Sequence, residues 1–283
     1  MSFIFFVFIY NIYMSSFDNK YDLVTYYIDS CKRTSGTSWD FYYNIGNLPD
    51  SCNACMVSNV QLPKWYYLIN EYNNKFNVEY DSTFFTVNLV KGEYNDDQFF
   101  AMVRTQFNAE LTGYSNDVDI FKNNSEFDEA DVLRRKPEYN FSGSASSTIF
   151  KFSELPENWN INYLMGFDRK DYESVTGLSG QSIYAPNIYN LCHINDKLYL
   201  NASFVSENGG TDSTTVLRDI YMHNISFGNC AIFKYDFTRD NYKKINNATT
   251  IKTPRFFLTD EYDNVVDLNG VNFSFTLHFF KKL

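Results

Sequence analysis

The sequence predicts an all-β fold, a β-sandwich or jelly roll, carrying one amphipathic helix and long surface loops. Three observations carry that expectation. The aromatic fraction is 19%, with 28 Phe and 23 Tyr among 283 residues, and these side chains fit a half-buried pleated surface better than a helix. Short alternating stretches recur along the chain, separated by Gly, Asn, Asp and Pro. Only one long window shifts clearly to a helical period. With 44% hydrophobic content, a chain of this length buries a sizeable core.

The first residues, "MSFIFFVFIYNIYM", hold an apolar run from Phe3 to Tyr10. That run is far short of the roughly 20 residues of a membrane-spanning helix. It also lacks a basic leader and a small-residue cleavage site. Translation from Met14 is the alternative start, and a signal peptide ranks slightly behind.

Residues 20–30 alternate and read as a strand or extended arm, ended by the turn formers of "RTSGTS". Strands follow at 39–48 and 53–63. Residues 75–92 form a hairpin turning at Asp81 and Ser82, with Phe85, Val87 and Leu89 on one face. The period then changes. Asn95 is an N-cap, Asp96 and Asp97 suit the positive helix end, and Phe99, Val103, Phe107 and Leu111 recur every four residues. Gly113 supplies the stop, giving a helix over about 95–111.

The acidic stretch 115–140 reads as a strand followed by an exposed loop or short helix. Residues 146–155 are strand-like, 158–167 suit a short helix, and 169–187 form a long polar excursion. Further strands fall near 197–205, 214–222 and 230–237. The chain closes with "PRFFLTDEYDNVVDLNGVNFSFTLHF", which reads as a hairpin with Asp263 and Asn264 at its turn and a second break at Asn269 and Gly270. Its last strand puts Phe273, Phe275, Leu277 and Phe279 on one side, and Ser274, Thr276 and His278 on the polar, outward side. No repeat or linker-like tract divides the chain.

A net charge of −10 and a pI near 4.8 argue against direct nucleic-acid binding, which needs clustered Lys and Arg. Five cysteines (Cys31, Cys52, Cys55, Cys192, Cys230) make an odd number in a long chain and read as reduced, buried thiols. "CNAC" (52–55) stands alone, and Cys55 shares a strand face with Val57, so these read as structural thiols. His193, His223 and His278 show no ligand spacing, and "GLSG" (177–180) is one residue short of a nucleophile elbow. The many carboxylates read as a helix cap and a solvated face. No catalytic, cofactor or metal residue is expected.

The order of segments is more informative. "YDLVTYYIDSCKRTSGTSWDFYYNIGNLP" leads to "SCNACMVSNVQLPKWYYLINEYNNKFNVEY" and then "FFTVNLVKGEYNDDQFFAMVRTQFN". Later come "LMGF", "DKLYLNASFVS" and the closing strands. This order resembles the small capsid proteins of polintons, adintoviruses, virophages and related large DNA viruses, over residues 20 to 280. The resemblance implies a single jelly-roll domain over 31–283, preceded by the apolar segment and extended arm of residues 1–30. It implies a penton-like or minor capsid subunit of the icosahedral shell, non-enzymatic, in the virion and assembled inside the host cell. A homo-oligomer follows, five copies ahead of three, with the major capsid protein as partner. The expected interface aromatics are Tyr26, Tyr27, Trp39, Tyr42, Trp65, Tyr66 and Tyr67, which offer large contact area at low rotamer cost. The alternative is an attachment head of the same fold that binds glycans.

Overall fold

A computed structural model describes residues 23–112, 117–121, 136–142, 147–176, 180–191, 197–205, 215–236, 242–245 and 248–281. The apolar segment 1–13 and Gly113 lie outside them. The chain first lays down β1 (Val24–Asp29), β2 (Ser35–Gly36), β3 (Asp40–Tyr42) and β4 (Ala54–Pro63). Then come β5 (Lys75–Tyr80), β6 (Thr83–Asn88), α1 (Asp96–Leu111), β7 (Asp117–Phe121), β8 (Glu138–Ser142) and β9 (Thr148–Lys151). After α2 (Ile161–Leu164) follow β10 (Asp171–Glu173), β11 (Val175–Thr176) and β12 (Gln181–Tyr184). The last part is β13 (Lys197–Ala202), β14 (Val216–Tyr221), β15 (Cys230–Lys234), β16 (Lys243–Lys244), β17 (Arg255–Thr259) and β18 (Ser274–Phe280).

Contacts gather the chain into two compact units. One takes the described part of Met1–Trp65 with Leu198–Thr259 and Val265–Leu283, the other Tyr66–Lys197 with Asp260–Asn264. The second unit is a large insertion between β4 and β13 of the first, within the span 31–283 expected as one domain. The residues between β4 and β13 bury a core of their own.

The first unit is a jelly roll, and its strand pairing shows this directly. One sheet runs β1-β18-β4-β15 and the other β14-β13-β17-β3-β2, with β16 beside β4. Leaving out the short β2 and β16, the first strand pairs with the last (β1 with β18), and the second with the next to last (β3 with β17). The third pairs with the sixth (β4 with β15), and the fourth with the fifth (β13 with β14). Such nested pairing is a long hairpin rolled into two facing sheets. The closing segment is therefore not a hairpin: β17 and β18 belong to opposite sheets. Their Phe side chains face each other instead, Phe256 meeting Phe275 at 5.1 Å between ring centroids. Phe41 packs on both Phe256 and Phe273. Phe41, Phe256 and Phe275 are almost fully buried, each stabilising the fold by about 1.5–3 kcal/mol.

The insertion unit holds two antiparallel sheets, β10-β9-β5-β6 and β11-β12-β8-β7, with α1 against β6 and β7. Helix α1 begins where the sequence predicts. Asn95 Oδ1 accepts from Gln98 N at 2.9 Å and Asn95 N donates to Gln98 Oε1 at 3.1 Å, a reciprocal capping box. Its apolar face, Phe99, Val103, Phe107 and Leu111, joins Phe76, Phe141, Phe150 and Phe167 in one core. The β5–β6 hairpin turns at Asp81 (φ 46°) and Ser82 (φ 64°), the backbone of a tight two-residue turn. Residues 169–187, expected as a loop, contribute β10, β11 and β12. β10 pairs with β9, β12 with β8, and the exposed β11 with β12.

Candidate functional site

The seven aromatic residues expected at an interface are divided between the units. Tyr66 and Tyr67 fall in the insertion unit, where Tyr66 is buried. The other five lie in the jelly roll. Tyr26 is half-buried and packs edge-on against Phe279 at 5.9 Å. Trp39 is also half-buried, its carbonyl accepting from Leu258 N at 3.1 Å. Trp65 lies against Phe227 at 5.2 Å, and its carbonyl accepts from the Asn269 amide. Tyr27 and Tyr42 are the most open of the seven, 51% and 44% exposed.

Position in the sheets gives this exposure a meaning. Tyr27 sits on β1, an outer strand of its sheet, held by a 2.8 Å hydrogen bond from its hydroxyl to Ser274 Oγ. The Tyr43 hydroxyl donates to the Tyr27 carbonyl at 3.4 Å, so the segment carrying Tyr42 runs beside the outer edge of β1. At the other end of the two sheets stand β15 and β14. There Ile232 on β15 is 60% exposed and Tyr221 on β14 is 50% exposed. The Tyr235 hydroxyl donates to the Asp219 carbonyl at 3.1 Å, and the Arg218 guanidinium lies 3.8 Å from the Tyr235 ring centre, which joins β14 to the end of β15. Among the described residues, β1 at one flank of the jelly roll and β15 with β14 at the other have no further strand beside them, and each flank carries a large exposed side chain. Sequence reasoning missed Tyr221 and Ile232, because nothing in a strand's own pattern says that it ends a sheet.

The candidates for chemistry have structural surroundings. Cys52 and Cys55 are buried free thiols as expected, whereas Cys31 and Cys230 are exposed, and burial pushes the Cys55 thiol up to about 12, far from a reactive thiolate. Cys192 and His193 lie outside the described residues, and His223 is exposed. His278, expected to point outward, is 8% exposed. Its strand is flanked on both sides, by β1 and β4, so Nδ1 stands 2.9 Å from Thr25 Oγ1 and Nε2 2.7 Å from Ser58 Oγ. A neutral imidazole donates with one nitrogen and accepts with the other, and burial lowers its pKa to about 4. Arg255 grips Asp40 through two bonds of 2.6 and 2.7 Å, tying β17 to β3. Among the described residues, no three His, Cys, Asp or Glu side chains gather to hold a metal ion, and no helix is long and apolar enough to cross a membrane.

No family model and no curated protein matches the chain. Among solved structures, the mavirus penton protein is similar over 92% of this chain and 99% of that chain, at a TM-score of 0.45 and 13% sequence identity. The fold assignment rests on the strand pairing itself.

Proposed function

We propose that the chain is a structural subunit of an icosahedral virion shell, penton-like or a minor capsid protein, that associates with copies of itself through the two flanks of its jelly roll. The observation that carries this reading is the pair of sheet edges that have no further strand among the described residues, with exposed Tyr27 at one end and exposed Tyr221 and Ile232 at the other. Exposed apolar side chains on sheet edges invite pairing, and soluble monomers blunt them. Two unlike edges at opposite ends of one sandwich suit a head-to-tail contact, which closes into a ring when the rotation per copy allows. Five copies are the first expectation and three the alternative. The order of segments, which resembles small capsid proteins, supports the same role.

In this role the jelly-roll unit makes the shell, the major capsid protein is its neighbour, and the virion is its location. The arrangement asks nothing of catalysis. Light scattering on the purified full chain tests the proposal: a discrete oligomer of several copies supports it, and a monomer at all micromolar concentrations contradicts it.

A further inference from the structure

We infer that a cleft in the insertion unit is a binding site for a neutral saccharide, a function separate from shell assembly. The cleft has a volume of about 300 Å³ and is lined by Tyr163, Asn187, Glu261 and Tyr262 among others. That volume is at the small end of ligand pockets and suits a single sugar ring.

Its walls are fixed before any ligand arrives. Asp260, buried at 3% exposure, accepts from Tyr262 N at 2.9 Å, Asn264 N at 2.9 Å and Asn264 Nδ2 at 3.0 Å. Those bonds hold the short loop that presents Glu261 and Tyr262. Asn264 and Asn158 also exchange amide bonds, Asn158 Nδ2 donating at 2.6 Å and Asn264 Nδ2 returning to the Asn158 carbonyl at 2.9 Å. Elsewhere in the lining, Gly166 (φ +86°) brings its backbone so close to the Asn187 carbonyl that an added Cβ would stand 2.7 Å from that oxygen. Only glycine permits this approach. Asn187 N donates to the Gly166 carbonyl at 3.0 Å.

The groups left over match a sugar. Among the described residues, the hydroxyls of Tyr163 and Tyr262 and the Glu261 carboxylate have no hydrogen-bond partner. Asn187 donates its amide hydrogen to Asp168 Oδ1 at 2.8 Å, which leaves Oδ1 to accept. Burial and the nearby Glu261 push the Tyr262 phenol up to about 12, so it keeps its proton and donates at neutral pH. Sugar hydroxyls both give and take hydrogen bonds, and the C–H face of the ring packs on a tyrosine that is 40% exposed at Tyr163. The exposed carboxylate disfavours anionic sugars and accepts from neutral ones.

Saturation-transfer NMR on the full chain, with the methyl glycosides of glucose, galactose, mannose and N-acetylglucosamine as probes, tests the site. At least one should bind saturably. Glu261→Gln should weaken that binding by about tenfold, and Tyr163→Ala should abolish it. Tyr163→Phe, which keeps the ring, should bind at an intermediate level. No binding by any of the four overturns the inference, as does binding that all three variants leave unchanged. Binding of the tripeptide Gly-Lys-Gly in their place, lost in Glu261→Gln, overturns it too by making the cleft a cation site. None of these results bears on whether the jelly roll oligomerises.

Discussion

Strand β1 of the jelly roll finds its partner at the far end of the chain, pairing Val24 with Phe279. Strand β5 of the insertion unit finds one across a two-residue turn, pairing Tyr80 with Thr83. That contrast runs through both units. The insertion core assembles from a hairpin, a capped helix and strands between β4 and β13, all within one stretch of sequence apart from Asp260–Asn264. The jelly roll cannot close its first sheet until β18 arrives, because β18 lies between β1 and β4. Non-local pairing of this kind folds slowly. The two units are therefore expected to respond differently to the same insult.

The largest effect is expected at β18. Replacing Phe275, 1% exposed, with Asp removes a core aromatic and leaves an unpaired charge between the sheets, a loss of more than about 5 kcal/mol. Phe275→Asp should yield no soluble folded chain. A soluble variant with native circular dichroism would show that β18 is not the keystone of the jelly roll.

A smaller and more selective loss is expected in the insertion unit. Phe107 is fully buried against Phe76, Phe141 and Phe150, and Phe107→Ala should cost about 3–5 kcal/mol. Hydrogen exchange should then speed in α1 and β5–β9 while the β1–β18–β4 amides stay protected. Equal loss of protection in both units would mean that they unfold as one.

Acid should act on the other unit. His278 has its pKa lowered from 6.5 to about 4 by burial, so the unfolded chain takes up a proton that the fold refuses. Stability from this residue is complete above pH 6.5, falls as the pH drops and is lost near pH 4, by on the order of 2–3 kcal/mol. Urea titrations across that window should show a slope that His278→Gln flattens. An unchanged slope would place the acid sensitivity elsewhere.

Legibility in the sequence follows the same division. Helix α1 and the β5–β6 turn were readable because their signals are local: Asn95 followed by Asp96 and Asp97, a four-residue apolar period, and Asp81–Ser82. The eight principal strands of the jelly roll were readable as strands, yet their pairing was not. Strands β17 and β18 look like a hairpin by spacing alone, and only their partners, β3 and β13 for one and β1 and β4 for the other, show that they close opposite sheets. Polar strands such as β10 and β11 carry no pattern of their own, since the ladder comes from β9 and β12. His278 alternates with Phe279 as an outward residue should, and becomes buried because β18 is interior to its sheet. Of the interface candidates, Tyr27 and Tyr42 were visible as aromatics in the first strands. Tyr221 and Ile232 needed the sheet order to mark them as edge residues.

The head-to-tail contact is the central claim, and mixing two broken subunits tests it most directly. Tyr27→Glu spoils one flank and Ile232→Glu the other, so each variant alone should be a folded monomer by light scattering. Mixed in equal amounts, they should form a one-to-one dimer that stops there, because each keeps the flank its partner lacks. A mixture that stays monomeric while the unmodified chain assembles would contradict the account, as would either variant assembling unaided.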